Sequence, residues 1–234
     1  MTNRENTKMK RAPMSSLRKT SLVAGIFYLL TFVSIPTFVL YSSVRGPDYI
    51  LGPGPDTPVI LGSILEMIVA LAGIGTAIAL YPVLKRQNEG RALGFVGSRI
   101  LEAATIYVGI VSLLSVVTLR QAGAGAGALA TGQALTAQYY WSFLFGQSFI
   151  PAINGVLLGS LLYQSRLVPR ALPVLGFIGS ALLIVSWVGT LSGLQGQVSL
   201  MSLIFVLPIA LWEFSLGIYL VVKGFRPSAI TQGI

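Results

Sequence analysis

The stretch from Ala171 to Val222, ALPVLGFIGSALLIVSWVGTLSGLQGQVSLMSLIFVLPIALWEFSLGIYLVV, runs for 52 residues with one charge, Glu213. As a single helix at 1.5 Å per residue it would be about 78 Å long, more than twice the ~30 Å hydrocarbon thickness of a bilayer. It therefore has to turn back. Ser192-Gly193-Leu194-Gln195-Gly196-Gln197 is the polar, glycine-bearing break, and one membrane span is expected on each side of it.

Working outward from that stretch, the same pattern recurs four times toward the N-terminus. Thr20 to Ser43 is uncharged and long enough to span, with Pro36 expected to bend it because proline removes an intrahelical hydrogen bond and crowds the preceding turn. Its apolar run exceeds the 7–15 residues of a cleaved signal peptide, so it reads as an uncleaved anchor. Val59–Leu84 and Ala92–Leu119 are the second and third spans, and Gln138–Ser165 is the fourth, opening on Tyr139-Tyr140-Trp141 as an interfacial aromatic belt. The Val44–Pro58 connection carries four prolines and three glycines, and Ala122–Ala128 is an alternating Gly/Ala run. The latter lacks the Gly-Lys-Ser/Thr ending of a phosphate-binding loop and reads as a flexible connection.

These spans predict an all-α, polytopic membrane bundle of six transmembrane helices. With 54% hydrophobic and 10% charged residues, the chain lies far from the ~25% charged composition of a soluble domain. The net charge of +9 does not mark a nucleic-acid binder, because the basic residues flank the apolar runs. The N-terminus, the 85–91 turn, the 166–170 turn and the C-terminus hold 6, 3, 2 and 2 of them; the alternate connections hold only Arg45 and Arg120. By the positive-inside rule both termini are expected in the cytoplasm. The expected organisation is a basic cytoplasmic tail over 1–19, a six-helix domain over 20–224 and a cytoplasmic tail over 225–234. The basic start is expected to attract anionic lipid headgroups.

Absent residue types narrow the chemistry. There are no cysteines and no histidines, so disulfides, the commonest metal ligand and the commonest general base are excluded, and no metal or cofactor is expected. What remains inside the spans is Glu66, Arg99, Glu102 and Glu213. An intramembrane charge costs about 2.5–3.5 kcal/mol on insertion scales, so such residues face a partner or a watery cavity. Counting depth at 1.5 Å per residue brings Arg99, Glu102, Asn154 and Glu213 to one level, with Glu66 and Gln147 nearer the opposite surface. Arg99 and Glu102, three residues apart, share a helix face. Trp212 and Trp187 lie at membrane depth, where their indole N–H groups call for partners. Gly62, Glu66, Ala70, Gly73 and Ala77 form a small-residue stripe suited to close helix packing.

Arg99-Ile100-Leu101-Glu102-Ala103, the run Leu162–Gly176 (LYQSRLVPRALPVLG), and Trp212–Leu220 (WEFSLGIYL) leading to Lys223-Gly224 resemble the bacterial domain-of-unknown-function 4386 family over about residues 20–225. The resemblance implies a six-span inner-membrane protein without an assigned reaction, with Arg99, Glu102 and Glu213 at the family's matching positions. Glu66 has no place on that pattern.

The site expected from these residues comprises Arg99, Glu102, Glu213, Asn154, Glu66 and Trp212. Three functions compete for it. One is binding or movement of a small solute or proton, with a glutamate exchanging the proton and Arg99 holding an anion or steadying a carboxylate. A second is a structural or partner-binding subunit in which the buried charges specify packing. A third is an intramembrane lipid-modifying enzyme using glutamate acid/base chemistry, for which the chain is poorly furnished. The first reading is favoured, and an enzyme is disfavoured.

Overall fold

The computed structural model describes residues 15–46 and 49–232. The basic tail expected over 1–19 lies outside the described residues up to position 14. Six helical rods are long and apolar enough to cross a bilayer, so the protein is a polytopic membrane bundle.

The first rod is α1 (Ser16–Leu30), a 3-10 stretch (Thr31–Ser34) and the short α2 (Thr37–Leu40). Ser15 caps α1 by accepting from the Arg18 N–H. The bend sits where Pro36 predicts it: proline cannot donate to the preceding turn, and regular α-helix gives way at Thr31. The second rod is α3 (Thr57–Leu84), opened by Pro58 in its first turn. The third is α4 (Glu89–Gln121), capped by Asn88 at 2.9 Å from the Arg91 N–H, with Glu89 in its first turn and Arg120 in its last, each matched to the helix dipole.

The fourth rod departs most from the sequence reading. Helix resumes at Leu129, nine residues before the expected start, and runs as α5 (Leu129–Leu144), a π turn (Phe145–Phe149) and α6 (Ile150–Ser165). The Gly/Ala run contributes a 3-10 turn over Gly125–Ala128 rather than an open loop. The polar residues at 132–138 hid this extension, since a hydropathy reading stops at the bilayer edge while the hydrogen-bonded helix need not. Helices α7 (Ala171–Leu191) and α8 (Leu200–Val222) complete the set, with Ser199 capping α8.

The six rods close into a ring. α1 packs on α3, α3 on α4, α4 on α5 and α6, α6 on α7, α7 on α8, and α8 returns to α1. The returning seam is tight: a Cβ added at Gly25 of α1 would stand 2.8 Å from the Gly217 carbonyl oxygen of α8. Arg18 also donates to the Leu220 carbonyl at 2.9 Å and to that of Val221, filling acceptors left over at the end of α8. All five members of the small-residue stripe on α3 are buried.

The two ends of the ring differ. At the end of the 85–91 turn, one core packs Leu80 and Leu84 of α3, Phe95 of α4, Leu158, Leu161 and Leu162 of α6 and Leu216 and Leu220 of α8, each at most 1% exposed. The 165–168 turn joins this end. Arg166 holds a left-handed conformation (φ 56°), Leu167 and Val168 are buried beneath it, and the Arg226 N–H donates to the Leu167 carbonyl at 2.8 Å.

At the opposite end α4, at 33 residues and about 50 Å, outreaches the hydrocarbon layer. The 41–56 connection folds against it, burying Tyr41, Val44, Tyr49 and Ile50 on Leu113, Val116 and Val117. Arg120 pins that connection. Its Nε donates to Asp56 Oδ1 at 2.7 Å, its Nη2 to Asp56 Oδ2 and its Nη1 to the Gly52 carbonyl at 3.3 Å. Gln121 and Tyr49 also donate to Asp56.

Gly179 of α7 tests the ring packing. An added Cβ would lie 2.5 Å from the backbone nitrogen of Ile209 and 2.7 Å from its Cα, atoms that cannot rotate away. Gly179→Ala is expected to lower stability by about 1–3 kcal/mol, as overpacked cores do. Gly97→Ala, which meets nothing within 4 Å, should leave thermal melting in detergent unchanged or slightly raised; equal melting of the two variants would refute the close α7–α8 contact.

Asp56 provides a pH test. The Arg120 hydrogen bonds hold its carboxyl at about 2, below the ordinary 3.8. A depressed carboxyl contributes stability above its unfolded value and loses it as pH falls through the folded one. The ratio of pepsin cleavage within residues 49–56, Asp56→Asn over the native protein, should therefore exceed one at pH 5 and approach one near pH 2. A ratio independent of pH would remove Arg120–Asp56 as the fastening of this connection.

Candidate functional site

Arg99 projects from the buried face of α4, which also carries Phe95, Glu102 and Ile106. Only 3% of the residue is exposed, so its charge must be met inside the protein. Nη1 donates to Glu102 Oε2 at 2.8 Å, one helical turn along the same face. Nη2 donates to Glu213 Oε1 of α8 at 3.0 Å and to the Tyr28 hydroxyl of α1 at 3.3 Å. The rings of Tyr28 and Phe95 flank the guanidinium, 5.5 and 5.6 Å from its carbon, adding cation–π attraction. Asn154 of α6 then donates from Nδ2 to Glu102 Oε2 at 2.6 Å.

Four spans thus meet on one charge network. Of the six residues singled out from sequence, Arg99, Glu102, Glu213 and Asn154 converge. Glu66 stands apart with its own partners: Tyr139 donates to Glu66 Oε1 at 3.4 Å and Gln147 Nε2 to the same oxygen at 3.5 Å. Trp212 precedes Glu213 in sequence but is fully buried with its ring against Gly176 of α7. The partners called for by Trp187 and Trp212 are not found: both indole N–H groups are enclosed without an acceptor. Arg99 Nε and Asn154 Oδ1 are likewise enclosed and unpaired.

Two members escaped the sequence reading. Tyr28 sits in the middle of an apolar span, where a phenolic hydroxyl needs a partner, and that was the available signal. Tyr139 reads from sequence as part of the interfacial belt, yet it is 2% exposed and turned onto Glu66, edge-on to Tyr41 at 5.5 Å. Of that triplet, Trp141 is the one that is half exposed.

The network borders a cavity of ≈ 140 Å³ on the ring's axis. All six rods line it, through Ser34, Val69, Glu102, Pro151, Leu183 and Glu213 among others. The hydrogen bonds fall on Glu102 Oε2 and Glu213 Oε1, leaving the second oxygen of each carboxylate open. The guanidinium, by contrast, is committed to protein acceptors through both terminal nitrogens. Of the two roles foreseen for Arg99, holding an anion and steadying a carboxylate, the geometry supports the second. Glu66 does not join Glu102 and Glu213, and among the described residues no three carboxylates gather as an oxygen-ligand metal cage requires.

Comparison with curated proteins and with solved structures returns no match to the chain. A family model described as Domain of unknown function (DUF4386) matches residues 23–224, most of the sequence, from within the first span to past the end of the sixth, and the chain belongs to that family.

Proposed function

We propose that this is an inner-membrane protein that binds a proton or small solute at the Arg99–Glu102–Glu213 cluster and passes it into or out of the bilayer interior. The observation that carries this reading is the pairing of two carboxyls with one guanidinium on the wall of an axial cavity. One proton added to the pair of carboxyls makes the cluster neutral, so uptake and release of a single proton switches its charge. Carboxyls able to change charge inside a membrane are the usual apparatus of proton relays and carriers.

The structural reading draws on the same hydrogen bonds, which tie α1, α4, α6 and α8 together. What favours binding over packing alone is that each carboxylate keeps an oxygen free beside open space, whereas a packing device would use both. The reading puts both chain ends on the cytoplasmic side; what supports it is that nine of the twelve basic residues among the described residues lie at the connections of one end of the ring.

Glu102→Gln and Glu213→Gln test the site in liposomes carrying a pH-sensitive dye. Each is expected to slow dissipation of an imposed proton gradient by about tenfold or more, the factor for a loss of ~1.4 kcal/mol. Both variants should keep native helicity and elution volume. Flux equal to the native protein in both would end the reading, and aggregation of both with no measurable flux in the native protein would establish the packing role instead.

The same end of the ring is proposed to hold anionic headgroups. A cleft of ≈ 370 Å³ there is lined by Arg18, Lys223 and Arg226, and a basic residue near an anionic surface contributes about 1 kcal/mol. Native mass spectrometry should show retention of phosphatidylglycerol over phosphatidylcholine, weakened by Lys223→Gln with Arg226→Gln and by high salt. Retention insensitive to both would exclude the cleft as a headgroup site.

A further inference from the structure

A second cavity, ≈ 190 Å³, opens between the π turn and the α7–α8 hairpin at the end of the ring away from the 85–91 turn. Its walls are mixed: Ser186 and Thr190 of α7, Gln197 and Val198 of the hairpin turn, and Phe38 and Trp187. It shares two residues with the axial cavity, Gln147 and Val206. The two spaces are therefore neighbours, with one amide and one small aliphatic side chain on their common border.

Gln147 comes to this border because of the π turn. A π turn admits one extra residue per turn and rotates the side chains that follow it, and such turns concentrate at functional positions. Glu66 and Tyr139, which the charge cluster leaves unused, hold it from behind: Gln147 Nε2 reaches the same Glu66 oxygen that Tyr139 does. Glu66 is in this arrangement a positioning residue for Gln147.

Past the charge cluster the ring is shut. Tyr28, Phe95, Leu158, Leu161, Trp212 and Leu216 are each at most 1% exposed and belong to one continuous core. The axial cavity thus has a polar approach on one side and a packed plug on the other.

The charge of what would travel there follows from the oxygens. Glu102 is 8% exposed, lines the axial cavity and keeps Oε1 without a hydrogen bond, and Glu213 keeps Oε2 likewise. The unpaired guanidine nitrogen, Arg99 Nε, is sealed off from that space. Arg99 also lines the cavity, but its two terminal nitrogens are taken by Glu102, Glu213 and Tyr28, so the hydrogen-bonding positions left open to a ligand there are carboxylate oxygens. Resting on the function proposed above, we infer that the α7–α8 vestibule is the port through which a small cation with hydrogen-bond donors reaches Glu102 and Glu213, with Gln147 and Val206 forming its throat.

The chain has no cysteine, so single thiols report access without background. Ala210→Cys places one on the axial cavity wall, three residues before Glu213; Val198→Cys marks the vestibule and Leu216→Cys the plug. In purified full-length protein, Val198→Cys and Ala210→Cys should react with methanethiosulfonates and Leu216→Cys should not. At Ala210→Cys the 2-aminoethyl reagent should react about tenfold faster than the 2-sulfonatoethyl reagent, as focusing by a charged cleft provides. Glu213→Gln should collapse that preference. Val206→Phe should slow reaction at Ala210→Cys and leave Val198→Cys alone, while Leu207→Phe, on the exposed face of α8, should affect neither.

Reaction at Ala210→Cys that ignores Val206→Phe would overturn the port in favour of entry from the lipid side. A thiol there that reacts with neither reagent would overturn it as well. Equal or faster reaction of the anionic reagent would overturn the cation assignment. These readouts need no transport: a charge preference with proton flux unaffected in Glu102→Gln and Glu213→Gln would leave the port standing and end the proton reading, and the converse pattern would do the reverse.

Discussion

A guanidinium that cannot reach water is the constraint around which this bundle is arranged. Arg99 is on a helix that lipid and neighbouring spans enclose, and an arginine there is always charged. An uncompensated buried charge costs several kcal/mol. The chain meets that cost with acceptors from three directions, Glu102 on the same helix, Tyr28 on α1 and Glu213 on α8. Those acceptors belong to spans far apart in sequence, so satisfying one side chain prescribes which helices must be neighbours. Asn154 extends the prescription to α6 by bonding the carboxylate rather than the guanidinium.

Much of this was legible in the letters, for identifiable reasons. Membrane spans announce themselves because lipid forbids charge over about 20 residues, and a helix has a fixed rise, so depth could be counted and Arg99, Glu102, Asn154 and Glu213 put at one level. The i, i+3 spacing of Arg99 and Glu102 fixed their common face. Depth also sets Glu66 and Gln147 apart from the cluster, but it carries no azimuth, and that Glu66 meets Tyr139 of α5 as well as Gln147 of the π turn emerges only from the ring order. Composition also fails where helix continues past the apolar run: residues 129–137 are too polar to read as a span, and so Tyr139 reads as an interfacial residue. The π turn had no signal at all, since one extra residue in a turn leaves hydropathy unchanged.

The bundle is asymmetric in packing as well as in charge. Its basic end is filled by large aliphatic side chains with essentially no exposure, and its other end carries the long α4–α5 hairpin, the pinned 41–56 connection and the cavity that adjoins the axial one. Dense interiors resist small deformations and change by discrete rearrangement. Any exchange of the site from one side of the membrane to the other would have to repack the plug, and the 3-10 stretch before Pro36 and the π turn before Pro151 are where the backbone is already irregular on the cavity side.

Closure of the ring through α1 and α8 also bears on how the molecule is made. Arg18 and the Leu220 carbonyl that it grips are 202 positions apart, and Gly25 nests on Gly217. Helices inserted in order from the ribosome find the partners of α3 to α7 as they arrive, but the flank of α1 has none until α8 has been synthesised. For that whole interval Tyr28 and the glycine face of α1 meet lipid or the insertion machinery, and Arg99 has Glu102 without Glu213. The joint made last during biogenesis is the one that completes the neutralisation of the buried arginine.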